Sequence, residues 1–419
     1  MNELYFKTLL NKSNEEVHPL KMAVSKDGSS GEVISFSLMN EEERLEYPIL
    51  NLDDLPGLKK ELLQETTLHQ IKMQAGLGTS VVRDDLIFKY QGRSSLGSKS
   101  TDLFYQLNGE YFSIAELQVM QACHSAEYKD LQKVIYQDLV NEETLEAVEQ
   151  IYQSENITSL LRGSPSVELK TPIFQEKIPT LDANGNLTER RKAPAGHGFI
   201  GFQQILEALE GDHQNEISCI GNGEDLNSGA NTKIISSMIE NDWPVVMLTT
   251  TKTKSDKKGG QLGVLQKDGI DYITIIEKAQ AEQSGQLELF EELGLREGDT
   301  PGLFNTNVVY FNKGALKKRL NELNLEHDQL IKEIAPDVIK NQKTQNGEVF
   351  TQLESALGSV ILNLDALMRR RTGQGVLQIV NIAEKNRADF FLPIKKRDDY
   401  EEILDRFKVD PKSIRLALQ

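Results

Sequence analysis

The stretch HQIKMQAGLGTSVVRDD, residues 69–85, runs from alternating apolar and polar residues into a loop holding two glycines and two hydroxyls. Alternation with a period of two is the pattern of an extended strand. It departs from the continuous apolar run of a central parallel strand. Gly76 and Gly78 open backbone conformations closed to other residues and let backbone amides approach an anion, while Thr79 and Ser80 add hydroxyl donors. No Gly-Lys-Ser/Thr closes the loop as in a Walker motif, and the third glycine of a dinucleotide fingerprint is absent. Taken alone, the loop is either an anion cradle or a plain turn.

Working outward, short apolar runs alternate with longer amphipathic ones. IKMQA (71–75), EISCIGN (216–222), PVVMLTT (244–250), YITIIE (272–277) and NVVYFN (307–312) read as strands. SIAELQVMQACHSA (113–126), GFQQILEALEG (201–211), NTKIISSMIEND (231–242) and KGALKKRLNELN (313–324) carry apolar residues every three or four positions and read as helices. This alternation predicts an α/β layered fold with a mixed, mostly parallel sheet flanked by helices. Ligands in such folds sit beyond the carboxyl ends of strands, which is where the AGLGTS loop falls. Residues 1–66, with LDDLPGLKKELLQE at helical spacing, predict a helical lead-in around a Ser/Gly loop; 67–400 form the main domain, and 401–419 a short helical tail. The polar stretch 320–350 predicts a solvated helix and loop, and RRR at 369–371 receives no function.

A chain of 419 residues with 38% hydrophobic and 26% charged residues can bury a substantial core. Two cysteines without metal-like spacing argue against a disulfide framework, and the amino terminus lacks the pattern of a secretory signal, so a cytoplasmic location is expected. No segment approaches the roughly 18 consecutive apolar residues of a membrane span. The net charge of −17 repels a nucleic-acid backbone, so any anionic ligand must be held by a local site.

Further short matches follow in order. They are a lysine in LGSKS (96–100), IFQEKIP (173–179), APAGHGF (193–199), GNGEDLNSGA (221–230), KTKSDKKGG (252–260), IIEKAQ (275–280), FNTNVVYFN (304–312), QLESALGSVI (352–361) and FFLPIKKRDD (390–399). As a set they resemble the eukaryotic-type UDP-glucose pyrophosphorylases, the UTP:glucose-1-phosphate uridylyltransferases. The resemblance implies a Rossmann-like nucleotidyltransferase fold of the GT-A-like kind and the joining of UTP to a sugar 1-phosphate, most directly glucose 1-phosphate, with Mg²⁺ as cofactor. It implies phosphate-neutralising Lys99 and Lys395. Nucleotide contacts fall on Ala75, Gly76, Leu77, Gly78, Thr79, Gln175 as uracil reader, and Gly196. Sugar contacts fall on His197, Gly198, Asn222, Lys258, Gly260, Glu277 and Asn307. The metal falls on Glu224 or Asp225.

The same resemblance marks departures. Ala75 replaces the first family glycine, a charged run (83–98) separates the loop from Lys99, Phe199 replaces an acid, and Glu224 replaces an aspartate. Only 24 residues follow Lys395, so the family's carboxyl-terminal β-helix is not expected and a monomer is. Two other readings remain open on these departures: a binding or regulatory module that keeps the fold without turnover, and a glycosyltransferase that uses a finished UDP-sugar. Read without the resemblance, His197 caps a turn and the GEDL acids are solvated loop residues.

Overall fold

The computed structural model describes residues 2–13, 20–76, 99–102, 104–107, 110–124, 128, 130–175, 177–254, 256, 259–345, 347–394, 398, 399 and 401. The strand read from the opening stretch, Thr67–Met73, is central. It pairs in parallel with Glu216–Asn222 on one side and Lys133–Val140 on the other, bringing Met73 level with Asn222 and Leu139. Its polar positions are buried and partnered. Gln70 bonds Cys219 O and Ala230 N, Lys72 caps Asp225 O and Ser228 O, and His69 bonds Gln137. The alternation that argued against a central position therefore has a physical cause: Gln70 and Lys72 share one face and tie neighbouring loops to the sheet, while His69, on the other face, bonds the adjacent strand.

Leu303–Asn312 runs antiparallel between Glu216–Asn222 and Val245–Thr251, and Leu377–Ile382 follows in parallel. The resulting 13-stranded sheet is mixed and mostly parallel. One face is covered by helices Asn2–Ser13, Gly198–Glu210, Lys313–Glu322, His327–Ile334 and Leu357–Thr372. The other carries Ile114–His124, Leu145–Tyr152, Glu155–Arg162 and Thr232–Glu240. A small sheet of Leu187–Pro194, Lys177–Leu181, Glu348–Glu354 and Ile339–Gln345 flanks this body. Among the described residues no helix is long and apolar enough to cross a membrane.

Two expectations are corrected. The lead-in holds one long helix, Asn2–Ser13, but Glu32–Ser35 then pairs with Gln261–Lys267, and Ile49–Asn51 with Leu377–Ile382, inside the main sheet. Pro56 and Gly57 break the helical spacing of LDDLPGLKK into a 3-10 turn at Leu52–Asp54 and one helical turn at Lys60–Leu63, while Leu52, Leu55 and Leu63 still reach the core. The polar 320–350 stretch is not wholly solvated. Leu330, Ile331 and Ile334 form a narrow stripe that buries one side of His327–Ile334, and Ile339–Gln345 extends the small sheet.

Candidate active site

Three parallel strands end side by side, and their loops are bonded to one another. Gln74 N donates to Leu139 O at 2.8 Å, Asn141 Nδ2 to Ala75 O at 2.6 Å, and Gln175 N to Val140 O at 2.7 Å. Gln74 Nε2 donates to Gln118 Oε1, and Gln118 Nε2 to Gly223 O at 2.9 Å. A Cβ on Gly223 would lie 2.4 Å from Met73 O, so only glycine lets the 222–228 loop approach the glycine-loop strand this closely. Around Gly76, by contrast, no described atom lies within 4 Å of where a Cβ would sit.

The Gly196-His197-Gly198 turn joins this rim through Gln175, whose Nε2 donates to Gly196 O. Both glycines are explained by Ser355. Gly196 has a φ of +81° and its Cβ would meet Ser355 O at 2.4 Å, and a Cβ on Gly198 would meet Ser355 Oγ at 2.6 Å. His197 Nδ1 accepts the Leu357 amide at 3.0 Å. Burial pushes the imidazole pKa down to about 4, so the ring is neutral and carries its proton on Nε2 as a donor.

Asn222 Nδ2 donates to Thr306 O at 2.9 Å. Asn307 sits in the left-handed region, φ 59°, where Asn305 holds it by accepting its amide and donating to its Oδ1. Asn305 N donates to Gly260 O, and a Cβ on Gly260 would lie 2.8 Å from Glu277 Oε1. Burial raises the Glu277 carboxyl to about 7. The amino end of helix Leu357–Thr372 reaches back to Asn305 at Gly358, so these contacts close a ring around the carboxyl ends of the strands. Ala75, Gly76, Gln175, Gly196, His197, Gly198, Asn222, Gly260, Glu277 and Asn307 all stand on it.

Asp225 plays a different part from the neighbouring Glu224. It is fully buried, and its carboxylate oxygens accept from Asn227 N at 2.9 Å and Leu392 N at 3.1 Å. Burial raises its carboxyl to about 6 against the pull of Lys72. Asp225 thus fastens the 388–392 segment to the loop, assisted by Asn227 Nδ2 on Ala388 O, and Glu224, half-buried beside it, is the metal-ligand candidate. Lys252 is structural as well, capping Phe290 O, Glu291 O and Leu293 O, and burial lowers its ammonium pKa to about 8. Asp256 pairs with Arg387, whose guanidinium lies over Phe304 and Phe391.

Lys99 opens the short helix Lys99–Asp102, and its side chain lies outside the described residues, as do Leu77, Gly78, Thr79, Lys258, Lys395 and the 83–98 run. Lys72, Gln74, Gln118 and Ser355 are site-building residues to which the sequence gives no role, although Ser355 falls within the QLESALGSVI match. The signal available for the first two was a polar residue at every second position of a strand.

A family model described as UTP–glucose-1-phosphate uridylyltransferase matches residues 152–410, more than half of the chain. The UTP–glucose-1-phosphate uridylyltransferase of Saccharomyces cerevisiae is 27% identical over 397 residues, covering 90% of this chain and 66% of its own length. UTP–glucose-1-phosphate uridylyltransferase 2 of Dictyostelium discoideum is 25% identical over 323 residues, with 75% and 56% covered. The chain therefore spans less than two thirds of these relatives. Among solved structures, a variant UDP-glucose pyrophosphorylase of Leishmania major in complex with UDP-glucose superposes with a TM-score of 0.62 at 17% identity, covering 95% of this chain and 74% of that one. The Trypanosoma brucei UDP-glucose phosphorylase gives 0.60 at 19%, covering 99% and 76%. These two share the fold. With ordered motifs, the architecture and the family model in agreement, the chain belongs to the UTP–glucose-1-phosphate uridylyltransferase family.

Proposed function

We propose that this chain transfers the uridylyl group of UTP to glucose 1-phosphate, giving UDP-glucose and pyrophosphate. The observation that carries the reading is the ring of bonded loops at the carboxyl ends of the Thr67–Met73 and Glu216–Asn222 strands, with a neutral histidine donor and a buried carboxyl on its rim. A phosphate oxygen of the sugar phosphate attacks the α-phosphorus of UTP. The new oxygen–phosphorus bond forms as the bond from the α-phosphorus to the bridging oxygen breaks, and that oxygen leaves on pyrophosphate. No protein nucleophile is required, so the protein's contribution is positioning and charge.

In this reading the 75–79 loop holds the triphosphate on its amides, and Gln175, fixed on Gly196 O, presents its remaining amide atoms to uracil. His197 Nε2 donates to the sugar phosphate. Asn222, Asn307, Glu277 and Gly260 surround the sugar, and the family resemblance gives Lys258 a sugar contact as well. Lys99 and Lys395 offset the repulsion between the two phosphorylated substrates.

Among the described residues no three His, Cys, Asp or Glu side chains converge as a metal cage. One hard carboxylate, Glu224, completed by substrate phosphates is the donor set Mg²⁺ accepts, and the residues present fit that ion. Bound there, the metal would supply charge neutralisation at the phosphates.

The test is pyrophosphate release on mixing the protein with UTP, Mg²⁺ and a panel of sugar 1-phosphates. Release with glucose 1-phosphate is expected. Binding without release indicates a regulatory module, and consumption of UDP-glucose only with a sugar acceptor indicates a glycosyltransferase. We also propose a cytoplasmic monomer, for which light scattering should give a mass near the 47.1 kDa of one chain.

A further inference from the structure

The His197 turn rests on the amino-terminal helix. Ser355 lies between them and is almost fully buried. Its amide donates to Ala195 O at 2.8 Å, its carbonyl accepts Gly198 N at 3.0 Å, and its hydroxyl donates to Ala195 O at 2.8 Å. With that proton committed to Ala195, the 2.9 Å contact between Ser355 Oγ and Tyr5 has one polarity: the Tyr5 hydroxyl donates and Ser355 Oγ accepts. Burial holds the Tyr5 phenol in its protonated form, consistent with that polarity.

The Tyr5 ring is fully buried and packs against Phe202 at 4.6 Å and Phe199 at 5.9 Å, while Phe6 stacks on Phe199 at 5.8 Å. Phe199 is the residue that stands where the resemblance expects an acid. The departure therefore gives this chain an aromatic seat under the turn, and the seat is filled by residues more than 190 positions away in sequence. Two residues beyond Ser355, the Leu357 amide bonds His197 Nδ1. Hydrogen bonds from Tyr5 to Ser355 and from Ser355 to Ala195, and a third from the Leu357 amide to His197, are joined by the 355–357 and 195–197 backbone and so connect the helix Asn2–Ser13 to the rim.

We propose that the amino-terminal helix is a positioning element of the site: Tyr5, acting through Ser355, holds the 195–198 turn so that His197 keeps its proton on Nε2 and presents it to the sugar phosphate. The kinetic consequence rests on the sugar-phosphate reading above. The tautomer does not.

The experiment compares Tyr5→Phe and Ser355→Ala with the parent protein, each alone and combined with His197→Ala. Tyr5→Phe removes one polar link and Ser355→Ala two, those of its Oγ to Tyr5 and to Ala195 O; both keep the surrounding apolar volume, and Ile235→Val, in the core on the opposite face of the sheet, serves as a packing control outside the relay. Loss of one buried hydrogen bond acting on bound substrate should lower kcat/KM for the sugar 1-phosphate by about fivefold to tenfold. The KM for UTP should not change, and neither variant should lower activity further in the His197→Ala background. Ile235→Val should lower Tm and leave that ratio alone. Nitrogen-15 NMR of labelled histidine, with His197 assigned by its absence in His197→Ala, should show an Nε2–H tautomer in the parent and a mixed or shifted signal in both variants.

An equal loss in the His197→Ala background, a matching rise in the KM for UTP, or an unchanged His197 signal in both variants would overturn the proposal. If no sugar 1-phosphate turns over, the uridylyltransfer reading falls while the NMR result still decides the relay.

Discussion

Gly196→Ala and Gly185→Ala form a matched pair. Both glycines have nearly the same left-handed backbone, φ +81° and +83°, but a Cβ on Gly185 meets nothing within 4 Å, whereas on Gly196 it meets Ser355 O at 2.4 Å and Ser355 N at 2.6 Å. Placing alanine in this conformation costs about 1 kcal/mol by itself. Gly185→Ala should show that cost and little else. At Gly196 the neighbour is backbone, and ordinary contact begins at 3.4 Å, so the two chains must separate by about an ångström. That separation breaks the bonds from Ser355 N to Ala195 O and from Gly198 N to Ser355 O, each worth about 1 to 1.5 kcal/mol when buried. The total is about 3 to 4 kcal/mol, and the same movement carries His197 away from the Leu357 amide. Urea unfolding of the two variants measures the difference, and pyrophosphate release measures the displacement of His197, expected to cost tenfold or more, roughly the effect of a 1 Å misplacement. Equal midpoints for the two variants would refute the claim that Ser355, and not the turn conformation alone, demands glycine at 196.

The pH dependence of stability should show two opposed contributions. His197 has a folded pKa lowered from 6.5 to about 4, so the unfolded chain binds the proton more tightly; its contribution is complete above pH 6.5 and is lost as pH falls toward 4, on the order of 3 kcal/mol, and His197→Asn should flatten that slope. Glu277 has a folded pKa raised from 4.5 to about 7, so stability is lost as pH rises from 4.5 through 7; Glu277→Gln should be more stable than the parent at pH 8 by up to about 3 kcal/mol and equal to it near pH 4.5, a difference that thermal melts at both pH values resolve. Lys72→Met removes the buried donor to Ser228 O, while Asp225 O keeps Ser228 Oγ and Gln118 Nε2, and should cost about 1 to 3 kcal/mol in urea unfolding; a cost below about 1 would mean the loop does not depend on that cap. Glu224→Gln should raise the Mg²⁺ concentration needed for half-maximal turnover, while Asp225→Asn should lower stability and leave that concentration alone; the reverse pattern would return the metal to Asp225.

The layered α/β plan was legible because each strand and helix named from its period overlaps an observed element of the same kind, though most overrun it by one or two residues at an end. The centrality of Thr67–Met73 was not, because His69, Gln70 and Lys72 look solvated until the loops and strand they bond are known. The amino-terminal strands escaped for a related reason: Glu32–Ser35 and Ile49–Asn51 are too short to show a period, and Gln261–Lys267 and Leu377–Ile382, which join them to the body of the sheet, lie more than 200 residues away. Within the site, the resemblance read Gly196 and Gly198 as ligand contacts and gave Gly223 no role, so the need for a residue without a side chain at these positions was not visible. The coordinates assign it to Ser355 and to the Met73 carbonyl, contacts between distant segments that no local pattern encodes.

A cavity of about 550 Å³ lined by Asp212, Asn215, Asp242, Asn312, Lys317 and Lys318 lies at the opposite, amino end of the parallel strands. Hydrogen exchange with and without UDP-glucose distinguishes the two ends directly. Slowed exchange of the amides at 73–76, 196–198 and 222–224, with 212–215 and 314–321 unchanged, is the predicted result. Protection confined to 212–215 and 314–321, with the glycine loop and the His197 turn exchanging as before, would contradict it.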